Sequence, residues 1–264
     1  MILLRSASAT LRISLITMFE VYRGVYRRAD GDARLRWWSR RLLDLVGLRC
    51  IVVNPHDVRF EPGRPTILMS NHQSLYDIPL LFVALPGSIR MLTKKELFRV
   101  PIWGRGMRAA EFVSIDRKDR EQALRDLDEA RRKMDDGIVL WLAPEGTRSR
   151  DGRLGTLKKG GFILAIETAA TIVPIGIRGS ASVLPPGTFF GARLGRTAEV
   201  HVGKPIYAGD YSTERRDELM SEVARRICDL AAIQPRESIE AHAPSSAEPT
   251  VDAGPWPARD SGRP

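Results

Sequence analysis

A histidine and an aspartate, His72 and Asp77, stand five residues apart in a polar stretch between two apolar runs. An imidazole transfers protons near neutral pH, and a carboxylate beside it orients the ring and balances its charge. Five residues correspond to about 140° of helical rotation, so the two side chains converge only if His72 lies in a turn and Asp77 in the first turn of a helix. The stretch at 71–77 therefore predicts a general base supported by a carboxylate.

The same stretch also has a purely structural interpretation. Ser74 can begin a helix as its N-cap, and Asp77 then occupies the position where an acidic side chain completes a capping box. His72 would in that case be an ordinary loop residue. We also expect that one oxygen of Asp77 cannot serve fully as both helix cap and imidazole partner. From these residues alone, both interpretations stay open.

Three further polar or glycine-containing segments follow short apolar runs, at 94–96, 116–117 and 144–149. The strand ends of an open α/β sheet can bring such segments into one crevice. Pooled there, they would add fixed cations and flexible backbone to the histidine and aspartate: Lys94, Lys95, Arg117, Glu145, Gly146, Thr147 and Arg148. Arginine suits bidentate contacts with phosphate. The combination predicts a hydroxyl substrate that carries a phosphate.

Each of these segments has a simpler explanation as well. Arg117 stands in a short run of charges at 116–119, which is typical of a solvated surface. Lys94 and Lys95 on their own fit ordinary surface charge. The segment at 144–149 can be a structural turn that is held by a Glu–Arg ion pair.

Several classes of site are excluded by the absence of their patterns. The Gly-x-Ser-x-Gly pattern of serine hydrolases is missing, and so are the glycine patterns of P-loop and dinucleotide-binding proteins. The two cysteines, Cys50 and Cys228, have no nearby Cys or His partner, so we predict neither a disulfide nor a zinc site. This usage fits a reducing compartment. We expect no metal and no cofactor.

Apolar strands that alternate with helices predict an α/β domain with a mixed sheet flanked by helices, over residues 49–233. The expected strands lie at 49–54, 66–70, 89–93, 111–115, 138–142, 172–177 and 198–202. One expected helix follows the stretch at 71–77 and ends near 85. Three others cover 119–136, 161–170 and 212–233. Residues 234–264 are rich in Pro, Ala, Ser and Glu and have little to bury, so we predict a disordered tail.

Residues 1–48 precede this domain and predict two amphipathic helices, separated by a break at 30–32. The net charge of the chain is +9, and residues 1–49 carry ten arginines against four acids. A basic, amphipathic pair with Trp37 and Trp38 indicates a segment that lies in a membrane interface. The alternative is a helical hairpin that packs on the catalytic domain, and both can hold. No run of 18 apolar residues and no convincing signal peptide is found.

The order and spacing of these motifs resemble the glycerolipid acyltransferases, and most of all the bacterial lysophosphatidate acyltransferases. The resemblance covers about 67–178. It rests on the Asn-His-x4-Asp motif at 71–77, the Phe-x-x-Ile-Asp-Arg motif at 112–117, the Pro-Glu-Gly-Thr-Arg-Ser motif at 144–149 and Val-Pro-Ile at 173–175. Two departures, Ser114 and Ala143, stand where the family has bulkier apolar residues. They concern acyl or acceptor selectivity rather than activity.

The resemblance implies a role for each candidate residue. His72 would be the general base, and Asp77 would orient it. Arg117 would bind the acceptor phosphate, Lys94 or Lys95 would assist, and Asn71 or backbone amides would stabilise the oxyanion. The turn at 145–148 would complete the phosphate site, and 173–175 would line the acyl-donor side.

The implied reaction moves a fatty acyl chain from acyl-CoA or acyl carrier protein to the sn-2 hydroxyl of lysophosphatidic acid, which gives phosphatidic acid. The thioester is a co-substrate, and the protein would sit on the cytoplasmic face of the inner membrane as a peripheral or monotopic protein. One alternative is the same chemistry on another lysolipid, such as a lyso-ornithine lipid. Another is a non-catalytic module that binds anionic lipid. Nucleic-acid binding is not expected, because no such motif accompanies the basic arm.

Overall fold

The structure, a computed structural model, describes residues 1–61, 63–115, 120–188 and 190–236. The side chains of residues 120, 123 and 124 are also outside the description. Arg117 therefore lies outside the described residues. So does the predicted tail from residue 237 onward.

The centre of the fold is an eight-stranded sheet with the order β1-β7-β6-β2-β5-β3-β4, in which β8 pairs with β6. The strands are β1 Arg49–Val53, β2 Thr66–Ser70, β3 Ser88–Lys94, β4 Val113–Ile115, β5 Ile138–Leu142, β6 Thr171–Arg178, β7 Thr197–Val202 and β8 Ile206–Tyr207. The strands β6, β2, β5, β3 and β4 are parallel, whereas β7 is antiparallel to β6. The mixed α/β sheet that the sequence predicts is confirmed.

Helices cover both faces of this sheet. They are α1 Ile2–Tyr22, α2 Arg28–Val46, α3 Asp77–Ala84, α4 Trp103–Ala109, α5 Arg120–Asp135, α6 Gly160–Glu167, α7 Ser180–Val183 and α8 Arg216–Ala231. One apolar cluster joins α2, α3 and α4 to the sheet, and another joins α5, α6 and α8. Side chains of β2 alternate between the two clusters, Leu68 in the first and Ile67 and Met69 in the second. This alternation is the period-2 pattern of a strand that is buried on both faces.

The sheet brings the predicted polar segments to one edge. Because β2, β5, β3 and β4 run parallel, their carboxyl ends lie on the same side of the sheet. The chain leaves β2 into 71–77, β5 into 143–149 and β3 at Lys94.

The Val-Pro-Ile motif at 173–175 lies inside β6, where Val173 and Ile175 are buried, with 1% and 0% exposure. They form core rather than the donor-side lining that the resemblance implies.

The N-terminal hairpin, which comprises α1 and α2, packs on this domain. α1 contacts α2 and α4, and α2 contacts α3 and β3. Within the hairpin, Arg34 pairs with Glu20, and Trp38 Nε1 donates to Thr10 Oγ1 at 2.9 Å. The predicted break at 30–32 is wrong, because these residues lie inside α2. By length and average composition α1 is a candidate membrane span, of which 22% is buried, although Arg5 and Arg12 interrupt its apolar run.

A buried ion cluster joins the hairpin to the domain. Arg90 on β3 is fully buried, and its Nη1 donates to Asp32 Oδ1 on α2 at 2.7 Å. Ser88 Oγ donates to the other oxygen of Asp32 at 2.6 Å. Arg28 pairs with Glu111, which precedes β4, and with Asp136 after α5. This cluster explains why residue 32 is helical, since its carboxylate is needed at the interface rather than in a turn.

Two short helices lie in a stretch without a strong sequence signal. A 3₁₀ helix covers Lys95–Arg99, and α4 follows at Trp103–Ala109. Gly104 and Gly106 permit close approach, since a Cβ would lie 2.2 Å from Phe98 O and 2.7 Å from Ser14 Cβ respectively. Packing against α1, rather than helix propensity, therefore accounts for α4.

Candidate active site

His72 and Asp77 converge as the spacing predicts. His72 lies in the turn after β2, and Asp77 is the first residue of α3. His72 Nδ1 lies 2.7 Å from Asp77 Oδ2. The His72 side chain is 18% exposed and the Asp77 side chain is fully buried. A base that reaches solvent and a buried carboxylate behind it form the arrangement needed for proton transfer to a bound substrate.

Asp77 also organises the turn that carries the histidine. Its Oδ2 accepts hydrogen bonds from the backbone N–H groups of Gln73 and Ser74, at 2.8 and 2.9 Å. One oxygen thus serves both the backbone and the imidazole, contrary to our expectation. Ser74 is not the N-cap: α3 begins after Tyr76, and Ser74 Oγ donates to Leu184 O at 2.9 Å. The capping interpretation is therefore right for Asp77, which accepts from the Ser74 N–H, and wrong for Ser74 as the N-cap. It is compatible with the interpretation of His72 and Asp77 as a catalytic pair.

The peptide groups of His72 are held by the loop after β5. The His72 N–H donates to Glu145 Oε1 at 3.3 Å, and the His72 carbonyl accepts from Ser149 N–H at 2.7 Å. Trp141 on β5 presents its ring to the imidazole edge-on, with centroids 6.3 Å apart at 87°. Its Nε1 donates to Ser70 Oγ at 3.0 Å. Neither Ser149 nor Trp141 was singled out as a site residue, since their contacts with His72 have no local sequence signal.

Glu145 has a different role from the one predicted. It is 5% exposed, and its second oxygen accepts from Gly155 N–H at 2.8 Å. Both oxygens are thus occupied by backbone donors, and burial raises the pKa of this carboxyl. A buried carboxylate in this setting joins two loops and does not face a phosphate. We therefore correct the substrate-binding prediction for Glu145 to a positioning role.

Asn71 is likewise a structural residue. It is 1% exposed, its Oδ1 accepts from Ile177 N–H at 2.8 Å, and its Nδ2 donates to Ile177 O at 2.9 Å. This pair of bonds attaches the turn after β2 to β6, where the paired strand register ends at Ser70 and Ile175. The side chain is therefore not placed to stabilise an oxyanion in solvent reach, which corrects our expectation.

Among the predicted phosphate residues, those that the structure describes follow the carboxyl ends of β3 and β5. Gly146 has a φ of +75°, which glycine adopts without strain, and its N–H closes a turn onto Ala143 O at 2.9 Å. Thr147 is exposed and Arg148 is half-buried, with Nη1 3.4 Å from Thr188 O. Lys94 is exposed at the end of β3 and Lys95 is half-buried. Their contact with phosphate stays a prediction, as does that of Arg117.

An apolar pocket opens between the hairpin, α3 and α4. Its lining includes Leu35, Trp38, Ile78, Phe82, Met91 and Met107. One lining residue, Ile78, directly follows Asp77 in the chain. Across the described parts of the chain, no group of three or more His, Cys, Asp or Glu side chains is placed to hold a metal ion.

Comparison with known proteins gives a consistent result. Residues 49–178 match the model of the Acyltransferase family. The chloroplastic 1-acyl-sn-glycerol-3-phosphate acyltransferase LPAT1 of Arabidopsis thaliana is 33% identical over 165 residues, which cover 62% of this chain and 44% of that protein. The 1-acyl-sn-glycerol-3-phosphate acyltransferase beta of Homo sapiens is 31% identical over 150 residues, which cover 56% and 53%. The chain thus spans about half the length of the curated relatives it matches.

A solved structure has the same fold. The crystal structure of the 1-acyl-sn-glycerophosphate (LPA) acyltransferase, PlsC, from Thermotoga maritima matches with a TM-score of 0.65. The match covers 89% of this chain and 100% of that chain, at 23% sequence identity. At this identity the likeness concerns the fold alone, and it agrees with a mixed α/β sheet preceded by helices.

Proposed function

We propose that this chain, whose residues 49–178 match the model of the Acyltransferase family, acylates the free sn-2 hydroxyl of lysophosphatidic acid to give phosphatidic acid. The acyl group comes from a thioester, either acyl-CoA or acyl carrier protein. The observation that carries this proposal is the 2.7 Å contact between His72 Nδ1 and Asp77 Oδ2, made by a partly exposed imidazole. The names of the sequence relatives support the choice of acceptor.

In this mechanism the imidazole moves one proton twice. Asp77 accepts the hydrogen bond from Nδ1, which leaves Nε2 to take the proton from the acceptor hydroxyl. The hydroxyl oxygen attacks the thioester carbonyl, the carbon–sulfur bond then breaks, and Nε2 returns the proton to the departing thiolate. Asp77 stabilises the imidazolium between the two transfers. General-base action of this kind contributes a rate factor of about 10²–10⁴.

The lining of the apolar pocket beside α3 suits a fatty acyl chain. Leu35, Ile78, Phe82 and Met107 all contribute apolar side chains to it. Pockets with such linings bind ligands with mostly apolar surfaces. Arg148, Lys94 or Lys95, and Arg117 are the residues that we propose to bind the phosphate and thereby orient the hydroxyl.

Exposed apolar side chains on the hairpin support membrane association. α1 leaves Leu4, Leu15 and Phe19 exposed, at 74%, 46% and 61%. We propose that this face lies in the membrane interface as a peripheral or monotopic anchor. The free thiols of Cys50 and Cys228 fit the reducing cytoplasmic side of the inner membrane.

A donor-by-acceptor activity panel tests the function. The purified full chain is assayed with acyl-CoA and acyl carrier protein donors of several chain lengths. The acceptors are lysophosphatidic acid, an uncharged monoacylglycerol and a lyso-ornithine lipid. We expect transfer to lysophosphatidic acid, and a loss of about 100-fold or more in His72→Ala. Greater activity on another lysolipid would make that lipid the acceptor, whereas no turnover with any pair would refute the proposed transfer.

A matched control is available in the same chain. His201 on β7 also pairs with a carboxylate, since its Nε2 lies 2.6 Å from Glu199 Oε2. It lies two strands away from β2 in the sheet. His201→Ala should therefore keep near-normal activity. Near-normal activity in His72→Ala would refute the proposed mechanism.

A further inference from the structure

Residues 234–236 pair with the loop that follows the 144–149 motif. Leu154 N–H donates to Gln234 O at 2.9 Å, and Arg236 N–H donates to Leu154 O at 3.0 Å. The Arg236 guanidinium then binds both oxygens of Asp151, at 3.0 Å each. We name residues 234–236 the latch. They belong to the stretch that the sequence predicts to be disordered, and that prediction is wrong for these three residues.

The latch holds a loop that is already tied together by Asp151. Asp151 Oδ1 accepts from Ser149 Oγ at 3.0 Å and from Arg153 N–H at 3.1 Å. Ser149 Oγ also lies 2.7 Å from Arg153 O. The Arg236 guanidinium, together with these donors, keeps the pKa of Asp151 below its usual range, so this carboxylate stays charged. The loop over 149–155 is therefore one hydrogen-bonded unit with the latch along its outer side.

This loop unit is also what holds His72. One end supplies Ser149 N–H to the His72 carbonyl at 2.7 Å. The other end supplies Gly155 N–H to Glu145 Oε2, and Glu145 Oε1 accepts the His72 N–H. Gly155 lies between these groups and the latch. A Cβ there would lie 3.1 Å from Glu145 Oε2 and 3.6 Å from Arg236 Nη1. The carbonyl of His72 is thus bound directly by the loop that the latch contacts, and the N–H of His72 is bound to the same loop through Glu145.

We propose that the latch is a positioning element for the catalytic histidine, with Arg236 as its main side chain. The inference rests on the proposed function, because it concerns how His72 is placed for acyl transfer. Arg236 does not reach the reacting atoms, so it acts through Asp151, Ser149 and Glu145. A displacement of about 1 Å at a reacting group can lower a rate by about 100-fold. A contact that is remote from the reacting atoms can therefore still affect the rate of transfer.

The ion pair alone does not account for this role. The side chains of Asp151 and Arg236 are 48% and 44% exposed, and exposed ion pairs stabilise proteins only weakly. The backbone pairing of 234–236 with Leu154 adds to it. We therefore expect two degrees of loss. Arg236→Ala removes only the guanidinium contacts with Asp151, whereas removal of 234–236 also removes the backbone hydrogen bonds with Leu154.

Two truncated chains separate the latch from everything that follows it. The chain 1–236 keeps the latch, and the chain 1–233 lacks it. In the lysophosphatidic acid assay we expect 1–236 to retain the kcat of the full chain, and 1–233 to lose about tenfold or more, within the range that misplacement of a reacting group can cause. Equal kcat values for the two truncated chains would overturn the proposal. If the full chain itself has no activity, the proposed function fails and the exchange measurement below still tests the latch.

Point variants provide the second measurement, in which the whole chain is kept. We expect Arg236→Ala to lower kcat about threefold to tenfold, and Arg236→Lys to recover part of it, since the ammonium keeps the charge but not the bidentate contact. Amide hydrogen exchange should accelerate at Leu154 and Gly155 in Arg236→Ala, while the core strands keep their protection. Unchanged exchange at these amides, or a uniform loss of protection across the sheet, would contradict a positioning role.

Discussion

Glu145 shows how a residue in a recognisable motif can have a role that its motif does not disclose. Its sequence position is clear, but its partners are the backbone N–H groups of His72 and Gly155, which are 73 and 10 residues away. Backbone donors leave no trace in the sequence, because every residue except proline has one. The spacing of His72 and Asp77, by contrast, is local, so the sequence could offer their contact as one of two interpretations.

Glu145→Gln tests this role at the level of a single side chain. Glutamine keeps one acceptor oxygen, but it presents an NH₂ group to one of the two backbone donors. An unsatisfied buried donor costs about 1–3 kcal/mol, so we expect a lower kcat and a lower free energy of unfolding. Glu167→Gln, at an exposed position on α6, is the matched control and should change neither. Wild-type kcat in Glu145→Gln would argue against a positioning role.

The difference in the free energy of unfolding between the wild type and Glu145→Gln should depend on pH. Burial raises the pKa of Glu145 above its ordinary value of 4.5. The folded state therefore binds this proton more tightly than the unfolded state, and the resulting stabilisation is lost as the pH rises through the folded-state pKa. Since glutamine does not titrate, the stability difference between wild type and Glu145→Gln should shrink as the pH increases above 4.5. Denaturant unfolding at several pH values measures it.

At the scale of elements, the strands were predicted well and the helix boundaries less so. β2 and β5 are short apolar runs with every residue buried, and such runs are readily recognised. The start of α2 was missed because Asp30-Gly31-Asp32 has the composition of a turn. Tertiary contacts override that preference. Asp32 accepts a hydrogen bond from the buried Arg90. Gly31 packs so closely against Tyr26 that an added Cβ would lie 2.4 Å from the Tyr26 OH.

The buried pair between Asp32 and Arg90 predicts a large effect on hairpin docking. Asp32→Asn removes the nearer of the two carboxylates that pair with the fully buried guanidinium, the other being Glu111 at 3.6 Å. Breaking a buried ion pair typically costs about 3–5 kcal/mol. We expect this loss in the free energy of unfolding. Asp30→Asn is the control, only two positions away, because Asp30 pairs with an Arg27 side chain that is 79% exposed. That change should stay below about 1 kcal/mol. Equal effects of the two variants would exclude a special role for the cluster.

At the scale of the whole molecule, the two alternatives for residues 1–48 prove compatible. One side of the hairpin packs on α3, α4 and β3, while α1 keeps apolar side chains on its surface. The sequence predicted the helices and their charge, but not which side packs, because that depends on contacts with distant residues such as Arg90 and Glu111. Their positions are known only once the sheet has formed.

Membrane association can be tested with two matched aromatic positions. Phe19 on α1 is 61% exposed, and Phe190 in the catalytic domain is 71% exposed. We expect Phe19→Ser to weaken co-sedimentation with vesicles of anionic phospholipid, because an apolar anchor leaves the interface. Phe190→Ser should have no effect, and both should fold normally. Equal weakening by both variants, or by neither, would mean that the α1 face is not the membrane contact.

The latch has a consequence for the order in which a newly made chain becomes competent. Synthesis runs from the N-terminus at about 5–20 residues per second, so the hairpin emerges first, and residues 234–236 emerge only after α8. If the hairpin binds lipid and the latch positions His72 as we propose, a nascent chain reaches a lipid surface while the turn at 71–77 still lacks its last supporting element. Maturation of the site would then follow delivery to the bilayer, and incomplete chains released from the ribosome would be poor catalysts in solution.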